Sequence, residues 1–164
     1  MSETDGATPN ERLLAAARTD NEELLLELFE EGGFDINTTD GLGNTALHLA
    51  AREGSVDVIE HILSHDECDV DPVNHLEGAT PLHLAVKIED PDVRKYIAEQ
   101  LLDAGADTMI RDKNGDTVAD LLRPDDEIFQ LIRKARAQAS VAKSDIADDD
   151  EDDGDESGSG SESE

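Results

Sequence analysis

One nine-residue stretch occurs twice in this chain, and a worn copy follows. Gly43-Asn-Thr-Ala-Leu-His-Leu-Ala-Ala51 is echoed by Gly78-Ala-Thr-Pro-Leu-His-Leu-Ala-Val86, then by Gly115-Asp-Thr-Val-Ala-Asp-Leu-Leu122. Thr45 and Thr80 are 35 residues apart, and Thr80 and Thr117 are 37 apart. Self-similarity at a period of roughly 20–50 residues means stacked units, none of which can bury its apolar face alone. In each copy a threonine stands just before an apolar run. That is where a hydroxyl accepts from the free N–H groups of a helix's first turn, so Thr45, Thr80 and Thr117 read as N-caps. Aromatic residues are only 2% of the chain, so Leu, Ile, Val and Ala must supply the core.

Thr80-Pro-Leu-His-Leu-Ala85 resembles the ankyrin repeat, whose wording T-P-L-H-x-A it matches letter for letter. The resemblance spans about residues 10–138. It implies an all-α ankyrin-repeat solenoid of about four helix-turn-helix repeats with short hairpin fingers. Two repeats are well formed, and degenerate repeats cap the ends. The expected repeats are 10–39, 40–74, 75–111 and 112–138, within a domain of residues 10–143. Residues 1–9 are expected to be loose and 144–164 to form a disordered acidic tail.

The local pattern fills in these units. A helix is expected from near Glu11, with Leu13, Leu14, Ala16 and Ala17 on its apolar stripe. Leu24, Leu25, Leu28 and Phe29 repeat at helical spacing, and Gly32-Gly33 stops that helix. Ala46–Glu53 reads as an inner helix turned by Gly54, followed by an outer helix carrying Val56, Val58, Ile59, Ile62 and Leu63. In the third repeat Glu89-Asp-Pro-Asp92 lengthens the turn, and Asp90 or Asp92 caps the next helix. Pro124 cuts the last inner helix short. The final helix buries Ile128, Phe129, Leu131 and Ile132, with Arg133, Lys134 and Arg136 near its end, where cations suit the dipole.

The formal charge is −29. The segment from Ser144 holds eleven acids and no base, leaving 31 acids against 13 bases elsewhere, a balance of −18. Such a field repels phosphate backbones and anionic membranes and attracts cationic proteins. Direct nucleic-acid binding and membrane association are therefore not expected. Cys68 is the sole cysteine, which fits a reducing compartment. The polar N-terminus does not read as a signal or transit peptide, and no apolar run approaches the ~20 residues of a membrane span. A cytoplasmic or nuclear location follows as an expectation.

His61, His65 and Cys68 have a spacing that invites a metal reading, but a fourth ligand is not evident and Cys68 falls where the repeat packs a small residue. Asp112-Lys-Asn-Gly-Asp116 faintly resembles a calcium loop, with its glycine misplaced and the closing glutamate missing. No nucleophile–base pairing or phosphate-cradling loop is apparent, so catalysis, a cofactor and a metal are not expected. The resemblance implies that His48 and His83 bond backbone across adjacent hairpin turns, with Asp120 in that place in the last copy. It implies contacts from finger tips and the exposed side of inner helices. The matching positions are Leu42, Asn44, Arg52 and Glu53, then Leu76, Glu77, Lys87 and Ile88, then Lys113, Asn114 and Asp116.

The function implied is a non-catalytic protein-binding module acting as a monomer. Size and acidic tail are similar to small fungal ankyrin-repeat proteins, one group of which escorts a basic ribosomal protein. A chaperone-like binder or adaptor for a basic protein, such as a ribosomal protein or histone, is the leading expectation. An ankyrin-type inhibitor of an enzyme such as a kinase, or a subunit of a larger assembly, is the alternative. Ser159 and Ser161 each precede a glutamate by three residues, which suits acid-directed phosphorylation.

Overall fold

The computed structural model describes residues 7–151, with side chains through residue 141. Among them, seven α-helices and one 3-10 turn follow in order. They are α1 (Pro9–Thr19), α2 (Glu22–Glu31), α3 (Ala46–Glu53), α4 (Ile59–Leu63), α5 (Pro81–Ala85), α6 (Pro91–Asp103), the 3-10 turn Val118–Leu121 and α7 (Glu127–Glu151). α1, α3, α5 and the 3-10 turn stand in a row as inner elements. α2, α4, α6 and α7 pack behind them as the outer layer. Each hairpin mainly touches its neighbours, the arrangement of a solenoid.

Small residues let the inner row close up. Ala16, Ala17, Ala46, Ala50, Ala51 and Ala85 are buried there, between the larger Leu13, Leu47, Leu49 and Leu82. The outer layer contributes Leu25, Leu28, Ile59, Ile62, Ile97, Leu101, Ile128 and Ile132. Each such Leu or Ile stabilises the fold by about 1.5–3 kcal/mol relative to exposure. Enlarging Ala50, which is fully buried, would force the inner helices apart at a cost of about 1–3 kcal/mol.

α1 starts earlier than the sequence pattern suggests. Thr8 accepts from Glu11 N at 3.1 Å while the Glu11 carboxylate accepts from Thr8 N at 3.0 Å. Pro9 occupies the first turn, where its missing N–H costs nothing. The expectation for residues 1–6 lies outside the described residues. α4 is shorter than expected, with five residues. Val56 and Val58 precede it in a turn, where Asp20 Oδ1 accepts from Asp57 N at 3.0 Å and Val58 N at 3.1 Å. Asp90, rather than Asp92, caps α6, accepting from Asp92 N and Val93 N.

The largest difference is at the C-terminal end. α7 runs to Glu151, so residues 144–151 are helical where no structure was expected. Ala135, Ala137, Ala139 and Ala142 favour the helix, and propagation adds one bond per residue fixed. Arg133, Lys134 and Arg136 consequently lie in the middle of α7, too far from its end to serve its dipole. Arg136 instead reaches repeat three, donating to Thr108 Oγ1 at 2.9 Å and Thr108 O at 3.0 Å. Phe129 and Leu131 are half-buried, leaving Ile128 and Ile132 as the buried pair. Residues 152–164, including Ser159 and Ser161, lie outside the described residues.

Candidate protein-binding surface

The candidate surface is built on a repeated corner. Thr45 Oγ1 accepts from His48 N at 3.2 Å, and His48 Nδ1 accepts from Thr45 N at 3.1 Å. Thr80 and His83 repeat both bonds, at 3.3 and 3.2 Å. With Nδ1 accepting, the proton sits on Nε2, which donates across to the next repeat. His48 Nε2 reaches Ala79 O at 2.8 Å, and His83 Nε2 reaches Asp116 O at 3.0 Å. Those carbonyls already accept from Asn74 N and Asp112 N, the bonds that close each finger. Each histidine thus takes a carbonyl's second lone pair and ties one repeat's helix to the next repeat's finger. At the last corner Asp120 Oδ2 accepts from Thr117 N at 2.9 Å and from Thr117 Oγ1 at 3.1 Å. These bonds, the backbone one foremost, hold the Asp120 carboxyl below the ordinary range.

Three fingers rise from these corners. Asp40 Oδ1 accepts from Leu42 N and Asn44 N, both at 2.9 Å. Asp112 Oδ1 does the same for Asn114 N and Asp116 N, both at 3.0 Å. In the middle finger Asn74 Oδ1 accepts from Glu77 N and Ala79 N. Adjacent fingers are joined by backbone bonds, His75 N to Leu42 O and Lys113 N to Glu77 O, each 2.9 Å. Lys113 Nζ also donates to His75 O. Gly43 adopts φ +81°, and the His75 ring occupies the space a Cβ would need there.

Not every expected contact position faces outward. Leu42 and Leu76 are 50% and 67% exposed, a large apolar display for finger tips. Arg52, Glu53, Lys87, Lys113 and Asn114 are exposed, while Glu77 and Asp116 are half-buried. Asn44 is only 1% exposed and is not a contact position. Its Oδ1 accepts from Asn74 Nδ2 at 3.0 Å, a buried bond between neighbouring fingers. Ile88 is half-buried and packs against the core, so it offers no free apolar tip. Arg52, Leu76, Glu77 and Lys87 line one open cavity of about 320 Å³, joined by Leu84, which the sequence reading missed. His75 and Val73, exposed on the middle finger, were missed as well. Their only sequence signal is adjacency to Leu76.

The residues weighed for metal binding are otherwise engaged. His61 Nε2 lies 2.8 Å from Glu22 Oε2. His65 packs edge-on against the stacked Phe29 and Phe34 rings. Cys68 is half-buried; burial and then Asp69 push its thiol up to about 11, so it stays protonated and poorly nucleophilic at neutral pH. Among the described residues no group of His, Cys, Asp and Glu is placed to hold a metal ion. Among them, too, no helix is long and apolar enough to cross a membrane.

Comparison with known proteins agrees with this geometry. The family model for ankyrin repeats (three copies) matches residues 13–112. The Saccharomyces cerevisiae ankyrin repeat-containing protein YGL242C is 39% identical over 145 residues, 80% of each chain. The Escherichia coli putative ankyrin repeat protein YahD is 33% identical over 63% of this chain and 52% of its own length. Mouse ankyrin repeat and SAM domain-containing protein 6 is 30% identical over 84% of this chain, which spans only 15% of that protein. Capped inner helices, histidine bridges and joined fingers, with these matches, make the chain a member of the ankyrin-repeat family, built as a protein–protein interaction module.

Proposed function

We propose that the chain is a non-catalytic, chaperone-like binder of a basic protein, such as a ribosomal protein or histone, working as a monomer in the cytoplasm or nucleus. The observation that carries this is the pair of solvent-facing leucines, Leu42 and Leu76, on fingers held rigid by hydrogen bonds. Apolar anchors ringed by charge are how interfaces concentrate affinity. The outer helices add the charge. Glu22, Glu23, Glu27, Glu30 and Glu31 are all exposed on α2, and the acids after Ser144 extend the same field. A cationic partner is drawn in by that field and fixed in register by the fingers.

Affinity capture on the full-length chain at about 50 and 300 mM salt tests the reading, because screening shortens over that range. Captured partners should be basic and salt-sensitive; neutral, salt-insensitive partners would overturn the shielding role. Regulation of an enzyme such as a kinase is the second reading. It is favoured by the finger leucines, which need no help from the acidic segment. Deleting residues 144–164 separates the two: a finger-led regulator keeps its affinity, and a polyanionic chaperone loses it.

A further inference from the structure

The acidic total hides a line of opposite sign. At the end of each of α1, α3 and α5 a buried pair of residues is followed by a cation, Ala16-Ala17-Arg18, Ala50-Ala51-Arg52 and Ala85-Val86-Lys87, the last two residues of the third lying just past α5. The cations are 34 and 35 residues apart, one repeat each, and all three are exposed. Because α1, α3 and α5 pack side by side, the equivalence in sequence becomes a row in space across the inner face. Helices in contact lie about 8–10 Å apart, so the row is roughly 20 Å long.

None of the three is firmly committed. Arg52 meets Glu53 at 3.7 Å and Lys87 meets Glu77 at 3.9 Å, both longer than charge-assisted hydrogen bonds. Arg18 has no carboxylate within ion-pair distance among the described residues. Exposed pairs of this kind exchange at little cost. Between Arg52 and Lys87 the cavity wall is Leu76 and Leu84, with Glu77 at its edge. The site thus offers cation, apolar floor, cation in sequence, around an open cavity of about 320 Å³.

Resting on the reading that the inner face is the working surface, we infer that this row holds an extended acidic segment of the partner protein. The segment carries carboxylates two or three residues apart with an apolar residue between them. An extended chain advances about 3.3 Å per residue, so that spacing bridges neighbouring repeats once the long Arg and Lys side chains lean inward. The partner is therefore two-signed: its basic surface meets the outer helices, and its acidic, apolar stretch lies along Arg18, Arg52 and Lys87. The apolar residue seats on Leu76 and Leu84.

Fluorescence anisotropy on the full-length chain provides the test, with three labelled synthetic peptides. One alternates Glu and Leu, one replaces Leu by Ser, and one replaces Glu by Lys. The Glu/Leu peptide should bind, weaken with salt, and weaken about tenfold or more in the triple variant Arg18→Ser/Arg52→Ser/Lys87→Ser. Circular dichroism confirms that the triple variant is folded; Lys95→Ser, an outer-helix control, should leave binding unchanged. The Ser-substituted peptide should bind more weakly than its Leu parent. No binding of the Glu/Leu peptide, or equal binding by wild type and triple variant, overturns the inference. Tightening of tenfold or more on deletion of residues 144–164 also overturns it, assigning the row to the chain's own acidic segment. The Lys/Leu peptide reports separately on the chaperone reading: its failure to bind counts against a basic partner and leaves the cationic row standing.

Discussion

His48 offers a sharp test of what joins one repeat to the next. It is fully buried, bonded at Nδ1 to its own threonine corner and at Nε2 to Ala79 O. His48→Ala removes three things. The bond to Ala79 O goes, at a net loss of about 1 kcal/mol, since that carbonyl keeps its bond from Asn74 N. Thr45 N–H is left buried without an acceptor, costing about 1–3 kcal/mol. Packing around the imidazole goes too, at about 1 kcal/mol by area. The expected total is about 3–5 kcal/mol, a large share of the roughly 5–15 kcal/mol a domain possesses. His48→Asn keeps an acceptor for Thr45 N–H but cannot span to Ala79, so it should cost about 2 kcal/mol. Urea unfolding followed by far-ultraviolet circular dichroism gives both numbers, with the slope checked for two-state behaviour. Equal losses for the two variants, or a loss under about 1 kcal/mol for His48→Ala, would refute the assignment of the corner and bridge to this imidazole.

Further outcomes can be measured on the same material. Burial, foremost, holds the His48 imidazole below its ordinary value of 6.5, so below that pH the unfolded chain binds a proton the folded one refuses. Its contribution is therefore present above pH 6.5 and lost as pH falls, by at most about 1.4 kcal/mol per unit; urea midpoints at pH 7.5 and 5.5 should differ less in His48→Asn than in wild type. Gly43→Ala and Gly115→Ala share a left-handed backbone, at φ +81° and +84°, but only at Gly43 would a Cβ strike His75, at 2.6 Å. Both should lose about 1–2 kcal/mol to backbone strain, with a further loss at Gly43 that His75→Ala relieves; thermal melts of the four variants decide. Asp90→Ala removes the acceptor for two N–H groups of α6 and should cost about 1 kcal/mol in urea titrations. Leu76→Ser, at 67% exposure, should leave stability within about 0.5 kcal/mol while weakening capture of protein partners.

The repeat and its corners were legible because they are local. Thr45 and Thr80 sit a fixed step before an apolar run, and capping depends on little else; at Thr117 the hydroxyl donates to Asp120 instead. The finger positions were harder. Asn44 has the composition of a solvated tip, and only the arrival of Asn74 from the next repeat buries it. Ile88 reads as an exposed apolar residue, yet the lengthened turn before α6 folds it toward the core. Arg136 reads as a helix-end cation because the acids after Ser144 look like the end of structure, whereas α7 runs on to Glu151. Its real partner, Thr108, lies 28 residues away, a distance no periodicity reports. The cationic row is visible in the sequence once the inner helices are superposed, but net charge alone points away from it.

Asp120 closes the row with a side chain of a different kind from the two histidines. Up to that corner each histidine link is an N–H reaching forward: His48 to the second finger, His83 to the third. A carboxylate at neutral pH can only accept, so at Asp120 there is no proton to offer to any carbonyl laid against the end of the row. A further hairpin, or a second molecule docking end to end, would find no histidine-type bridge offered from this corner.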